Sequence, residues 1–370
     1  MPLAPRASTW LEIDLEVIRR NAQRLTARCG VPLLAVVKAG AYGHGGAPAA
    51  RAALRGGAAM LGAARVDEAL ELRRAGIDAP LLVLGATPAD RLAEALEASL
   101  TLTVWTMEHI QAAASAAAAR RVVANLHLKI DSGMNRIGAP PEQALDLARR
   151  ASETPGVALG GVYTHFACAD EADRSPTLRQ HALFADVVRT LEAAGLRPRW
   201  VHAANTAGAL AYPEARWDLV RSGVGVYGLH PSRVVRLPEE FEPALMWKSR
   251  LTHVKTVPAG QGVSYGHRYV TRRDERIGTV AVGYADGFRR VHGNVVLVGG
   301  RRVPVVGRVC MDQILVRLDD AAPARPEDEV VLLGAQGEER ITAEEIAERW
   351  GTINYEVTCG ITERVGRTYL

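Results

Sequence analysis

A lysine closes the apolar run Leu34-Ala35-Val36-Val37-Lys38, and a turn of small residues follows it through Gly40, Tyr42, Gly43 and Gly45. An amine at the end of a buried strand is desolvated, which lowers its pKa and makes it a nucleophile able to form a Schiff base. On position alone the commoner reading is a lysine whose stem lies along the strand end while its head reaches water. Lys38 does not stand alone, however. The segment from His127 to Arg136 carries a second lysine, Lys129, within a strand-like run and Arg136 in the loop beyond it. Tyr163-Thr164-His165-Phe166 ends another run with a histidine, and the run from His202 ends in Asn205 and Thr206. Arg221 precedes the closely spaced Gly223, Gly225 and Gly228. Each has an ordinary structural account: His165 as a satisfied core histidine, Gly223 as a simple turn. Five polar strand ends on one face are harder to explain that way. The backbone amides of Gly223 and Val224, with the hydroxyls of Thr206 and Tyr42, suit a phosphate cradle.

Two motifs stand out in the last third of the chain. Gln261-Gly262-Val263-Ser264-Tyr265-Gly266 is a turn that presents a tyrosine, and Gly307-Arg308-Val309-Cys310-Met311-Asp312-Gln313 opens a strand. A tyrosine beside a glycine is ordinarily there for packing. A phenol ionises near pH 10, so a basic tyrosine needs cations close by.

The elements that position these residues follow from periodicity. Short apolar runs are expected as strands at Leu33–Val37, Met60–Ala63, Leu81–Leu84, Leu102–Val104, Leu126–Ile130, Gly160–Tyr163, Trp200–His202 and Val224–Tyr227, with amphipathic helices between them. Val66–Ala75 is one such helix, and the alanine-rich Ala112–Arg121 is another, because alanine is the best helix former. Eight strand–helix alternations imply a parallel (β/α)₈ TIM-like barrel, whose catalytic residues sit at the C-terminal ends of the strands. The pattern changes after residue 237. Trp247–Val257, Arg276–Val282, Val295–Val298, Val303–Val306, Gln313–Leu318 and Val330–Leu333 are expected as strands punctuated by Gly and Pro, giving an antiparallel, mainly β domain. One helix interrupts it, opened by a capping box at Thr342 and Glu345 and closed near Gly351. The expected division is a barrel over residues 1–237 and a β domain over 238–370, joined through the stretch Pro231–Pro243.

A chain of 370 residues that is 48% hydrophobic can bury a large core. Its net charge of +4 is spread along the whole length without clusters, which argues against nucleic-acid binding. Met1–Trp10 lacks an apolar leader and no run is long enough to span a bilayer, so a cytoplasmic location is expected. The four cysteines form no CxxC pair; free thiols and no metal are expected.

Taken together, these segments resemble the alanine racemase family. The likeness runs from the Lys38 motif through Lys129–Arg136, Tyr163–Phe166, Asn205–Thr206, Arg221–Gly228, Val263–Gly266, Gly283–Gly287 and Gly307–Gln313 to Thr352–Val357, in order and across both domains. The resemblance implies a pyridoxal 5'-phosphate enzyme of the fold-type III class that interconverts L- and D-alanine, supplies D-alanine for peptidoglycan and works as a homodimer sharing its active sites. It implies that Lys38 carries the cofactor and takes the proton of D-alanine, while Tyr265, reaching the other subunit's site, takes that of L-alanine. Tyr42, Asn205, Thr206, Gly223, Val224 and Tyr355 would bind the cofactor, most of them at its phosphate. Arg221 would face the pyridine nitrogen with His165 behind it. Arg136 would touch the cofactor's phenolic oxygen and the substrate carboxylate, with a backbone group of Met311 assisting, and Lys129 matches a position often carbamylated. Two departures are visible. Gly40 replaces the usual Asn, and Gly287-Phe288-Arg289-Arg290 replaces Gly-Tyr-Pro-Arg near the substrate entrance. A broader-specificity racemase acting on residues such as serine, or a fold-type III decarboxylase, shares much of this plan.

Overall fold

Short, wholly buried apolar runs cannot leave their backbone groups unpaired, and here they pair with one another in parallel. The computed structural model describes residues 7–318 and 323–370. The first six residues, part of the stretch read for a leader, lie outside them. Two units are present: Glu16–Glu242, and Pro243–Leu370 joined by the described residues up to Leu15. The first strand, β1 (Thr9–Ile13), belongs to the second of these.

In the first unit follow β2 (Leu33–Val36), β3 (Ala58–Ala63), β4 (Leu81–Val83), β5 (Thr101–Val104), β6 (Ala124–Lys129), β7 (Val157–Tyr163), β8 (Trp200–His202) and β9 (Val220–Ser222). All are parallel, in the order β8-β7-β6-β5-β4-β3-β2-β9. Backbone bonds from Asp218 N–H to Val201 O and from Arg221 N–H to Ala204 O, both 3.0 Å, draw the two ends together into a nearly closed barrel. The helices include Val66–Arg74 and Met107–Arg120. The eighth strand differs from expectation. Val224–Tyr227 is a short 3₁₀ turn closed by Gly228 at φ +75°, and the strand is Val220–Ser222 just before it. A buried arginine at its centre disguises the run as polar.

Strand alternation decides what faces inward. In β6, Leu126 and Leu128 share one face, and His127 and Lys129 the other. All four are buried. Buried polar side chains also occur at Thr103, His202, Arg221 and Ser222, so this interior is not the purely apolar layering that fills many barrels.

The second unit continues with β10 (Leu245–Val257), the ribbon β11 (Gly262–Val263) and β12 (Tyr269–Val270), then β13 (Glu275–Val280), β14 (Val295–Val298), β15 (Arg301–Pro304), β16 (Ile314–Leu318), β17 (Glu329–Gln336), β18 (Glu339–Ile341) and β19 (Gly366–Tyr369). The long β10 is the hub, pairing with β1, β13 and β17. Its alternating residues Leu245, Trp247, Ser249 and Leu251 are buried. The sheet is mixed rather than wholly antiparallel, because β1 runs parallel to β19. The helix Ala343–Trp350 is capped by Thr342 Oγ1, which accepts from Glu345 N–H at 3.2 Å, and closes at Gly351 with φ +65°. Only half of the expected capping box forms, since the Glu345 carboxylate is drawn to Arg302 and Arg349. A second helix, Asn354–Cys359, follows where only one was expected.

Candidate active site

Lys38 leaves the C-terminal end of β2 and enters an unusual turn. Ala39, Gly40, Ala41 and Tyr42 all have φ between +51° and +58°, a left-handed helical turn. This conformation costs an ordinary residue about 1–2 kcal/mol because Cβ crowds the following carbonyl. Several bonds hold it. Ala41 N–H donates to Val37 O at 2.9 Å and Gly43 N–H to Ala39 O at 3.0 Å. The Glu68 carboxylate accepts from Ala39 N–H at 2.6 Å and Ala64 N–H at 2.8 Å, tying the turn to the end of β3. Strain that several elements enforce is characteristic of functional sites. Glycine adopts this region freely, and Asn and Asp do so more readily than other residues. The departure noted at position 40 therefore preserves the backbone.

A group of cations gathers at the same end of the barrel. Lys38, Lys129, Arg136 and Arg221 all oppose protonation of His165, and together with burial, the largest cause, they hold its pKa well below the ordinary histidine value. Burial is also the main reason that Lys129 falls to about 7, helped by Arg221 and Arg136. Its Nζ lies 4.7 Å from the centre of the Tyr163 ring. Arg221, only 3% exposed, donates to Thr164 O and Ala203 O at 2.8 Å, to His202 Nδ1 at 2.9 Å and to His165 Nδ1 at 3.1 Å. Among the described residues no carboxylate pairs with it. A buried cation whose protein partners are all neutral sits where an electron-rich group can be received. Arg136 is carried by a loop shaped by Asp131, whose Oδ1 accepts three backbone N–H bonds, from Gly133, Met134 and Asn135, each at 3.0 Å.

Beside these cations lies a cradle. A Cβ added at Gly223 would stand 2.2 Å from the Tyr42 hydroxyl, so the backbone there approaches the phenol as only glycine permits. Thr206 Oγ1 lies 3.0 Å from Ser222 Oγ, and both crowd Gly225. Val224 begins the 3₁₀ turn, whose first amides find no carbonyl within it. Asn205 caps Thr206–Ala211, accepting from Gly208 N–H at 2.9 Å. Hydroxyls, turn amides and close-approach glycines are what a phosphate dianion requires. Tyr42, Thr206, Gly223 and Val224 are thus brought together, beside Lys38 and the cations. This set fits a phosphorylated, electron-rich aldehyde held on a lysine.

The other three expected residues lie in the second unit. Tyr265 (66% exposed) and Met311 (53% exposed) line one cavity of about 630 Å³ with Ser264, Cys310, Asp312 and Gln313. Ser264 Oγ–H donates to Arg308 O at 2.6 Å and Ser264 itself has φ +63°, so the turn bearing Tyr265 is fixed from behind. Tyr355 is half-buried near the start of Asn354–Cys359 and does not line that cavity. Sequence reasoning missed Glu68, which reads as one more surface acid of an amphipathic helix. It also missed Ser222, and the depth of the polar network formed by Thr103, His127 and His202. The period-two pattern of His127 and Lys129 on one strand face was the available signal.

The chain matches the family models for the alanine racemase N-terminal domain over residues 13–231 and the alanine racemase C-terminal domain over residues 244–369. It is 45% identical to the alanine racemase of Symbiobacterium thermophilum, an alignment covering all of this chain and 99% of that one. It is 44% identical to alanine racemase 1 of Bacillus subtilis, covering 98% of this chain and 93% of the relative. The crystal structure of alanine racemase from a D-cycloserine-producing Streptomyces lavendulae superposes with a TM-score of 0.94 at 40% identity, over 99% of this chain and 98% of that one.

Proposed function

The chain belongs to the alanine racemase family, and from that premise we propose that it interconverts L- and D-alanine with pyridoxal phosphate held on Lys38. The observation that carries the site assignment is the buried Arg221, bonded to His165 Nδ1 and to the carbonyls of Thr164 and Ala203, beside the Tyr42–Gly223–Thr206 cradle. Tyr42, Thr206, Gly223, Val224 and Tyr355 would hold the phosphate end of the cofactor, with Asn205 beside them capping the helix that starts at Thr206. Pyridoxal phosphate, when bound, supplies a conjugated ring that spreads the negative charge left on Cα once its proton is removed.

The chain's own residues do the rest. Lys38 carries the proton on one face of the substrate, accepting it from D-alanine and returning it to form D-alanine. The Tyr265 phenol performs the same service on the opposite face for L-alanine. Two carriers are needed because a single one would return the proton to the side it came from. Arg136 and a backbone group of Met311 would orient the substrate carboxylate. Arg221 would meet the ring-nitrogen side of the cofactor with a hydrogen-bond donor that keeps its own proton, since a guanidinium stays protonated under all working conditions. A donor that keeps its proton there would restrain side reactions such as transamination. A guanidinium at this position also speaks against the decarboxylase reading, whose relatives place a carboxylate there. Lys129, with its amine near neutrality, can attack CO₂. A nitrogen–carbon bond forms, a proton leaves, and the resulting carbamate anion would offset Arg136.

Tyr265 and Met311 are exposed, and Tyr284, 44% exposed, adjoins Met311 through its N–H bond to Cys310 O. Exposed tyrosine and methionine side chains grouped in this way support a homodimer in which each subunit completes the other's site. D-alanine made this way would serve peptidoglycan synthesis in the cytoplasm. No helix of the described residues is long and apolar enough to cross a membrane. Incubating the cofactor-loaded protein with L-alanine and resolving the products by chiral chromatography, with CO₂ detection in parallel, tests the reading. D-alanine without CO₂ is expected. CO₂ release, or unchanged L-alanine, would overturn it.

A further inference from the structure

Behind Arg221 two more imidazoles stand in line within the barrel. His202 Nδ1 lies 2.9 Å from Arg221 Nη1, and His202 Nε2 lies 3.0 Å from His127 Nδ1. A guanidinium carries only donors, so the direction of the first bond is fixed: His202 Nδ1 accepts and bears no proton. A neutral imidazole bare at Nδ1 is protonated at Nε2. That N–H points at His127 Nδ1, which is therefore bare as well. The geometry assigns every proton along the line from the guanidinium inward.

We propose that His127 is a positioning residue of the active site: its Nδ1 is the acceptor that locks His202 in the Nε2–H tautomer and so holds Arg221 in place. Without that acceptor, His202 has two options. It keeps a buried N–H with no partner, or it moves the proton to Nδ1 and turns a donor against the donors of Arg221. Either loosens the guanidinium. Burial holds His127 itself near a pKa of 3 and His202 well below the usual range, so both rings stay neutral across the working pH range.

The barrel is built to seat this ring. His127 pairs with Gly161 across β6 and β7, and a Cβ at Gly161 would stand 2.6 Å from both Cε1 and Nδ1 of the imidazole. Tyr163, two residues further along β7, stacks on His202 with ring centres 4.6 Å apart and planes within 4°. Tyr163 is fixed in turn by its hydroxyl, 2.9 Å from Thr103 Oγ1. His202 is thus clamped flat by Tyr163, and its two nitrogens are assigned by Arg221 on one side and His127 on the other.

The catalytic importance of this device rests on the proposed function, whereas the tautomer does not, so the two are tested separately. Long-range ¹⁵N–¹H correlation spectra of the histidine-labelled holoenzyme read the tautomer of each ring directly. His202 is expected as Nε2–H in the wild type. His127→Asn offers an amide oxygen near the position of Nδ1 and is expected to keep that state. His127→Leu, similar in bulk with no acceptor, is expected to lose it, and to lower kcat by about tenfold more than His127→Asn with little change in KM, the scale seen for groups that orient a ligand from behind. Gly161→Ala, which displaces the ring rather than deleting it, is expected to act like His127→Leu and serves in its place should the leucine variant fail to fold. An Nδ1–H tautomer of His202 in the wild type overturns the proposal, as do equal effects of the Asn and Leu variants on tautomer and rate. A correct tautomer pattern in a protein that racemises nothing would instead overturn the assigned function and leave the positioning intact.

Discussion

Replacing Gly223 with alanine tests the cradle in a single atom. The added methyl would stand 2.2 Å from the Tyr42 hydroxyl oxygen, 2.5 Å from Cζ and 3.0 Å from Cε2. Gly223 has φ −103°, outside the left-handed region, so the cost reckoned is that of the contact. Tyr42 has little room to retreat. It is 8% exposed, its ring packs 5.2 Å from that of Tyr227, and Tyr227 is anchored by its hydroxyl to Val36 O at 2.9 Å. Overpacking of this kind costs about 1–3 kcal/mol. If the phenol moves off the phosphate position, the same energy appears as a loss of cofactor affinity of roughly 5- to 150-fold, at 1.4 kcal/mol per tenfold. The assay is titration of the apoprotein with pyridoxal phosphate and, in parallel, with unphosphorylated pyridoxal, followed by visible absorbance. The deficit should fall on the phosphorylated compound. Tyr42→Phe in the same background removes the nearest atom and leaves Cζ at 2.5 Å, so it should rescue binding only in part. Wild-type affinity in Gly223→Ala, or an equal loss for both compounds, would refute the cradle.

Three further outcomes follow from the same geometry. Tyr265→Phe should slow solvent exchange of the α-proton of L-alanine by about 10²–10⁴-fold while sparing that of D-alanine, and equal exchange from both would remove the phenol from its face. The Lys129 amine, held near 7 against an ordinary 10.5, is protonated in both folded and unfolded chains below about pH 7. Its burial penalty is therefore full there and is relieved as pH rises toward 10.5, since the unfolded chain then binds more protons. In CO₂-free buffer the wild type should gain stability relative to Lys129→Met across that window, and ¹³C-bicarbonate should give the wild type alone a carbamate resonance; parallel stability curves would contradict the first expectation and no resonance the second. Gly40 lies at φ +58° and ψ +41° with nothing within 4 Å of an added Cβ. Urea unfolding should thus show Gly40→Ala destabilised by about 1 kcal/mol and Gly40→Asn by less, whereas equal losses would mean that conformation is not what selects the residue there.

Much of the barrel was legible because its strands are short, wholly apolar and followed by regular helices. Leu81–Val83 and Leu33–Val36 leave little choice. The eighth strand was misplaced for a physical reason: Arg221 sits at its centre, and its charge concealed a buried strand while the apolar residues of the next turn imitated one. β1 was invisible because its partners, β10 and β19, lie more than 200 residues away, and no local pattern reports such pairing. Within the site, Lys38 at a strand end, Arg136 in the loop beyond a strand and Arg221 before closely spaced glycines stood out as charges in apolar surroundings. Glu68 did not, since its role as an acceptor for the left-handed turn depends on a fold-dependent approach between a helix and a loop. His127 reads in the sequence only as part of a strand, although its two-residue spacing from Lys129 already places the two on one face.

The central claim is that the Lys38 amine bears the cofactor. Borohydride reduction of the loaded protein, followed by proteolysis and peptide mapping, tests it most directly. The pyridoxyl group is expected on the peptide containing Lys38 and nowhere else, with Lys38→Ala left unlabelled; label on Lys129 or any other lysine, or undiminished labelling in Lys38→Ala, would contradict the account.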